Sequence, residues 1–134
     1  MIEISARSAQ PGPDCGRGHI LLVDDDAAAG EALGRTLRHA GFDVTVAADF
    51  RGALEILEAE RPIDLLVTDI VMPAGINGIA LSRMARLRRR DLKVVYMTGY
   101  NVPGAEREAL GPILRKPIDG AVLIQEVEQA LSAA

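Results

Sequence analysis

The sequence predicts an α/β fold in which helices cover both faces of a parallel sheet, and three observations lead there. From His19 onward, short apolar runs alternate five times with segments of helical period. Two of those runs, ILLV at 20–23 and LLV at 65–67, are continuously apolar, as strands covered on both sides must be. Finally, Asp26, Asp49, Asn77 and Asp119 each stand where a side-chain oxygen can accept the first free N–H groups of the helix that follows.

The elements follow in order. Residues 1–18 carry Pro11, Gly12, Pro13, Gly16 and Gly18 with little apolar periodicity, the composition of a tail or linker, so the domain is expected over 19–134. HILLV (19–23) is the first strand, and Asp26 caps a helix over Ala27–His39 with Leu33 and Leu37 on one face. FDVTVAA (42–48) is the second strand, followed by a helix from Phe50 to Glu60 whose Phe50, Ala53, Leu54 and Leu57 share a face. DLLVT (64–68) leads to a helix over Gly78–Arg89, and KVVYMT (93–98) to a short helical stretch near Ala105–Leu110. PILRK (112–116) is the fifth strand, before a helix over Ala121–Leu131. Right-handed crossovers then give a doubly wound five-stranded sheet, and the flavodoxin-like order 2-1-3-4-5, with a shortened fourth helix, is the expected topology.

Composition narrows the function classes. The 134 residues fit one domain, and 49% hydrophobic with 25% charged residues is the balance of a chain that buries a core. A net charge of −4 provides no footprint for gripping a nucleic-acid backbone, so no nucleic-acid partner is expected. No apolar run reaches the roughly 18 residues of a spanning helix, and MIEISARSAQ lacks the basic-then-apolar order of a signal peptide, so a cytoplasmic protein without membrane contact is expected. Cys15 is the single cysteine, which rules out an intrachain disulfide and argues against a thiolate metal centre.

The chemistry lies at the carboxyl ends of the predicted strands. Asp24 and Asp25 close the first strand, Asp69 the third, Thr98 the fourth and Lys116 the fifth. In the order 2-1-3-4-5 these ends meet in the crevice where such sheets bind ligands. Three carboxylates there repel one another unless a cation intervenes, and an all-oxygen donor set suits Mg2+. A carboxylate can attack a phosphoryl group provided the charge on its equatorial oxygens is neutralised. A metal ion, the Lys116 ammonium and the Thr98 hydroxyl supply that neutralisation.

With LLVDDD, DLLVTDIVMP, VYMTGY and LRKP in that order, each ending a predicted strand, the chain resembles the response-regulator receiver family over about His19–Leu131. The resemblance implies that Asp69 is the phosphoacceptor, Asp25 a direct Mg2+ ligand, Asp24 a ligand through water, and the Val71 carbonyl a further ligand. It implies that Thr98 and Lys116 sense the phosphoryl group and that Lys116–Pro117 is a cis peptide. It also implies a histidine kinase or histidine phosphotransfer protein as donor, and a domain that catalyses only its own phosphorylation and dephosphorylation. Because the elements run to the end of the sequence, output is expected through a downstream protein of unknown identity.

Three features depart from the common family pattern. The loop within MPAGING is one residue longer than usual, the span from Thr98 to Lys116 is short, and Ile113 stands where many receivers place an aromatic switch residue. Tyr100, on the loop after Thr98, is therefore the better switch candidate than Ile113.

The remaining polar residues have simpler readings. Asp26 is a helix cap, His19 and His39 have no visible base or metal partner, and the run RMARLRRRDLK is a solvated helix end whose cations complement the helix dipole. A magnesium-dependent phosphohydrolase with an aspartyl nucleophile is a competing class. It needs an acid two residues after the nucleophile, and position 71 is Val. A binding module without phosphorylation is the third class, and the complete set Asp24, Asp25, Asp69, Thr98 and Lys116 argues against it.

Overall fold

Each apolar run is a strand sandwiched between helices, and the helices start where their caps stand. The structure, a computed structural model, describes residues 17–59, 62–72, 77–99 and 110–132. Strands β1 (His19–Val23), β2 (Asp43–Ala47), β3 (Leu65–Asp69), β4 (Lys93–Thr98) and β5 (Ile113–Arg115) form one sheet. All pairs are parallel and the order is β2-β1-β3-β4-β5, the predicted topology. Helices α1 (Ala27–His39), α2 (Phe50–Glu58), α3 (Gly78–Arg88) and α4 (Gly120–Ser132) cover it. Of the short helix expected near Ala105–Leu110, Leu110 alone falls within the described residues.

Alternation along the strands divides the core in two. Leu21, Val23, Leu66, Val94 and Tyr96 face α2 and α3, where they meet Ala53, Leu57, Leu81 and Ala85. Ile20, Leu22, Leu65, Val67, Val95 and Met97 face α1 and α4, against Leu37, Leu123 and Val127. Helix layers on both faces are why the runs 20–23 of β1 and 65–67 of β3 had to be continuously apolar.

The caps work as read. Asp26 Oδ1 accepts from Ala29 N–H (3.2 Å), Asp49 Oδ1 from Gly52 N–H (2.7 Å), and Asn77 Oδ1 from Ala80 N–H (2.8 Å). Asp119 Oδ1 accepts from Ala121 and Val122 N–H, at 2.8 and 3.3 Å. Helix α2, however, stops at Glu58, short of the expected Glu60. Ala59 turns to extended backbone (φ −69°, ψ 157°), and Arg89 Nη2 donates to the Leu57 and Ala59 carbonyls at 3.1 and 2.9 Å. The basic run is thus more than a solvated helix end. Arg89 closes the end of α2, Arg88 pairs with Glu58 at 3.0 Å, and Arg86 donates to the Leu92 carbonyl at 3.3 Å.

Arg17, within the stretch whose composition reads as a tail, is tied to the fold. Its guanidinium lies 4.6 Å over the Phe42 ring, donates to the Ala40 carbonyl at 3.0 Å and pairs with Glu128 of α4. Among the described residues no helix is long and apolar enough to cross a membrane.

Candidate functional site

Parallel register brings the strand ends level, and this alignment builds the site. Val23 pairs with Thr68 and Asp69 with Met97, so Asp24, Asp69 and Thr98 emerge on neighbouring strands at one end of the sheet. Asp24, Asp69 and Thr98 are buried, Asp25 is exposed, and Lys116 is half-buried. Asp24, Asp25 and Asp69 each offer a carboxylate oxygen such that the three lie within 4.8 Å of one another. A cleft of about 250 Å³ opens beside them, lined by Asp25, Asp69, Val71, Met97, Thr98, Gly99 and Lys116.

Lys116 reaches into this cluster. The Lys116–Pro117 peptide is cis, as the resemblance implied. Lys116 Nζ lies 2.7 Å from Asp69 Oδ1 and 3.3 and 3.4 Å from the two Asp24 oxygens. The Asp69 contact is a close ion pair that leaves buried Oδ1 without a well-aligned hydrogen bond. The other Asp69 oxygen, Oδ2, accepts from the Asp25 N–H at 3.2 Å, and Asp24 Oδ1 accepts from the Asp26 N–H at 3.0 Å. Thr98 pairs with Arg115 on β5, and the N–H of the next residue, Lys116, donates to the Thr98 carbonyl at 2.8 Å, which ties the two site residues together through the backbone.

The electrostatics follow from that crowding. Burial, reinforced by the neighbouring Asp24 and Asp25, pushes the Asp69 carboxyl up to about 7 despite the opposing pull of Lys116. Burial works against the Lys116 ammonium, yet its bond to Asp69 and the charges of Asp69 and Asp24 outweigh it, so its pKa lies above the ordinary lysine value. A site that holds three carboxylates against one lysine is short of positive charge. The donor set is all oxygen, two of its carboxylates are buried, and they already converge, which fits a small hard cation such as Mg2+.

Asp24, Asp25, Asp69, Thr98 and Lys116 are all brought to this end of the sheet. Val71 lines the cleft and is 48% exposed. Ile113 lies on β5 directly across from Tyr96 and packs, partly buried, in the same cluster. Tyr100 and residues 73–76 of the lengthened loop lie outside the described residues.

Sequence reasoning missed one residue at this site. Gly78, read only as a helix start, opens α3 hard against the phosphoacceptor candidate: its N–H donates to the Ile70 carbonyl at 2.8 Å, and a Cβ there would stand 1.9 Å from the Asp69 carbonyl oxygen. A glycine in the first helical position after the Asn77 cap was the available signal. Nothing local says which backbone it must clear.

Comparison with known proteins agrees with this geometry. Residues 20–128 match the family described as the response regulator receiver domain. The response regulator receiver protein CpdR of Brucella abortus is 37% identical over 119 residues, which are 86% of this chain and 98% of CpdR. Among solved structures, the receiver domain of the hybrid histidine kinase CckA is 38% identical with a TM-score of 0.74, covering 86% of this chain and all of that one. The response regulator TrrA of Thermotoga maritima, solved in complex with Mg2+–BeF, is 26% identical with a TM-score of 0.73, over 85% of this chain and 99% of TrrA. The chain spans only 58% and 25% of two longer transcriptional regulators that it also matches, so those whole proteins' activities do not carry over to it. By sequence, by fold and by the acidic cluster at its strand ends, the chain belongs to the response regulator receiver domain family of two-component systems.

Proposed function

We propose that this receiver domain takes a phosphoryl group from a phosphohistidine, on a histidine kinase or a histidine phosphotransfer protein, onto the Asp69 carboxylate, and thereby switches its binding to a downstream protein. The observation that carries this reading is the setting of Asp69: a buried carboxylate at a strand end, converging with Asp24 and Asp25, with Lys116 Nζ 2.7 Å from its Oδ1. An oxygen of Asp69 forms the new O–P bond as the P–N bond to the donor histidine breaks, and the electron pair of that bond stays on the imidazole. Asp25, Asp69 and the Val71 carbonyl, with Asp24 through water, would hold Mg2+, which would supply neutralising charge for the incoming dianion.

The chain's own groups do the rest. The Asp25 N–H, bonded to Asp69 Oδ2, holds the carboxylate plane and leaves Oδ1 as the attacking oxygen. Lys116 exchanges its carboxylate partner for a phosphoryl oxygen, an ion pair of the same kind with the added acceptor strength of phosphate. The Thr98 hydroxyl donates to another oxygen. Its backbone bond to Lys116 keeps the two phosphoryl contacts in fixed relation. In this reading the domain occupies residues 19–134, acts in the cytoplasm without nucleic acid, and turns over no substrate other than its own phosphoryl group.

Incubation with acetyl phosphate or phosphoramidate tests the proposal. Labelling is expected with Mg2+ and is lost in excess chelator or on Asp69→Asn. Equal labelling of that variant would reject Asp69, and full labelling in chelator would reject the metal.

A further inference from the structure

Strand β4 is held unevenly at the end that carries Thr98. The β3 ladder with it ends at Asp69 opposite Met97, with one more bond from the Ile70 N–H to the Met97 carbonyl at 2.9 Å, and the strand paired at the Thr98 rung itself is β5, which is three residues long. The end of a strand that leans on a short edge strand belongs to the less stable part of a sheet, and its placement depends on what packs against it.

Tyr96 provides that packing. It stands two residues before Thr98, on the same face of β4, and is 2% exposed. Its hydroxyl lies 2.6 Å from Oγ of Ser82 on α3, which is 1% exposed. Ser82 Oγ is also 2.8 Å from the Ile79 carbonyl, which only accepts. Ser82 has one proton and gives it to Ile79, so Tyr96 donates to Ser82. The ring has room because α3 turns the small side chains of Ser82 and Ala85, both buried and one turn apart, toward the sheet. A phenylalanine would fill the same volume. The two hydroxyls are instead desolvated together, and a directional bond offsets that cost only at one separation of β4 and α3.

We infer that Tyr96, through its bond to Ser82, is a positioning residue for Thr98: it sets the placement of β4 against α3 and so determines where the Thr98 hydroxyl meets the phosphoryl group. The inference rests on the role given to Thr98 above.

The test titrates the full chain, in Mg2+, with beryllofluoride as the phosphoryl probe, followed by amide shifts. Tyr96→Phe and Ser82→Ala are each expected to weaken binding about three- to tenfold, the range of one neutral hydrogen bond. The double variant weakens it no further than either single one, and in a Thr98→Ala background neither substitution has an effect. A contribution to stability alone would lower the Tm of the same samples and leave affinity well below Tm unchanged. Parent-like affinity in both variants overturns the inference, and so does a loss that persists in full without Thr98. If the parent itself fails to bind beryllofluoride, the reading of the whole site falls and takes the inference with it.

Discussion

Without metal, the Asp69 carboxyl is caught between burial beside two other carboxylates and attraction to Lys116, and burial wins: its pKa rises from 3.8 to about 7. A carboxyl whose folded-state pKa lies above its unfolded value holds a proton in the folded domain that the unfolded chain has already lost. The stability this contributes is full below the ordinary carboxylate range and drains away as pH rises through about 7. In chelator, the parent domain is therefore expected to lose stability relative to Asp69→Asn between about pH 4 and pH 8, since the amide does not titrate. Mg2+ should narrow the gap at the alkaline end. Urea denaturation of both proteins across that range measures it. A parent-to-variant difference that stays constant with pH would mean that Asp69 ionises normally in the metal-free site.

At the scale of elements, α3 is fitted to the site at its first residue. The backbone of Gly78 lies so near β3 that a methyl group would meet the Asp69 carbonyl oxygen at 1.9 Å, far inside contact distance, and the obstacle is main chain rather than a flexible side chain. Either α3 retreats or β3 shifts, and both move Asp69. Gly78→Ala should destabilise the domain by roughly 1–3 kcal/mol, the usual cost of overpacking, and should slow phosphorylation by acetyl phosphate under conditions where the variant remains folded. Unfolding midpoints and labelling rates on one preparation separate the two effects. Unchanged values of both would show that α3 shifts without disturbing Asp69. Such close approaches explain the limits of reading elements from sequence. Among the described residues, period, caps and apolar runs marked the strands and helices to within a residue or two because those signals are local. Early termination of α2, by contrast, depends on an arginine from the end of α3, and the fit of Gly78 depends on a neighbouring strand. Helical spacing puts Ser82 and Ala85 on one face without saying that Tyr96 is what they meet.

For the molecule as a whole, the candidate site was legible because a parallel doubly wound sheet gathers strand ends, so residue type and order along the chain were enough to assemble Asp24, Asp25, Asp69, Thr98 and Lys116. How the phosphorylated state is read out was less legible, because it depends on what packs around Ile113. There the structure shows Tyr96 directly across from Ile113 in one cluster, so the bulk on that face comes from β4. Ile113, a stiff β-branched side chain beside that ring, has little freedom to act as a rotamer switch. The segment that follows Thr98 and carries Tyr100 is the remaining candidate. Beryllofluoride is expected to shift backbone amides chiefly over residues 99–111, and changes concentrated elsewhere would exclude that segment as the output. All of this presupposes that the phosphoryl group sits on Asp69, and the most direct test is chemical. Borohydride reduces an aspartyl phosphate to homoserine, so phosphorylation in Mg2+, reduction and peptide mass mapping identify the acceptor. The account predicts homoserine at position 69 alone. Homoserine at position 24 or 25, with Asp69 intact, would contradict it.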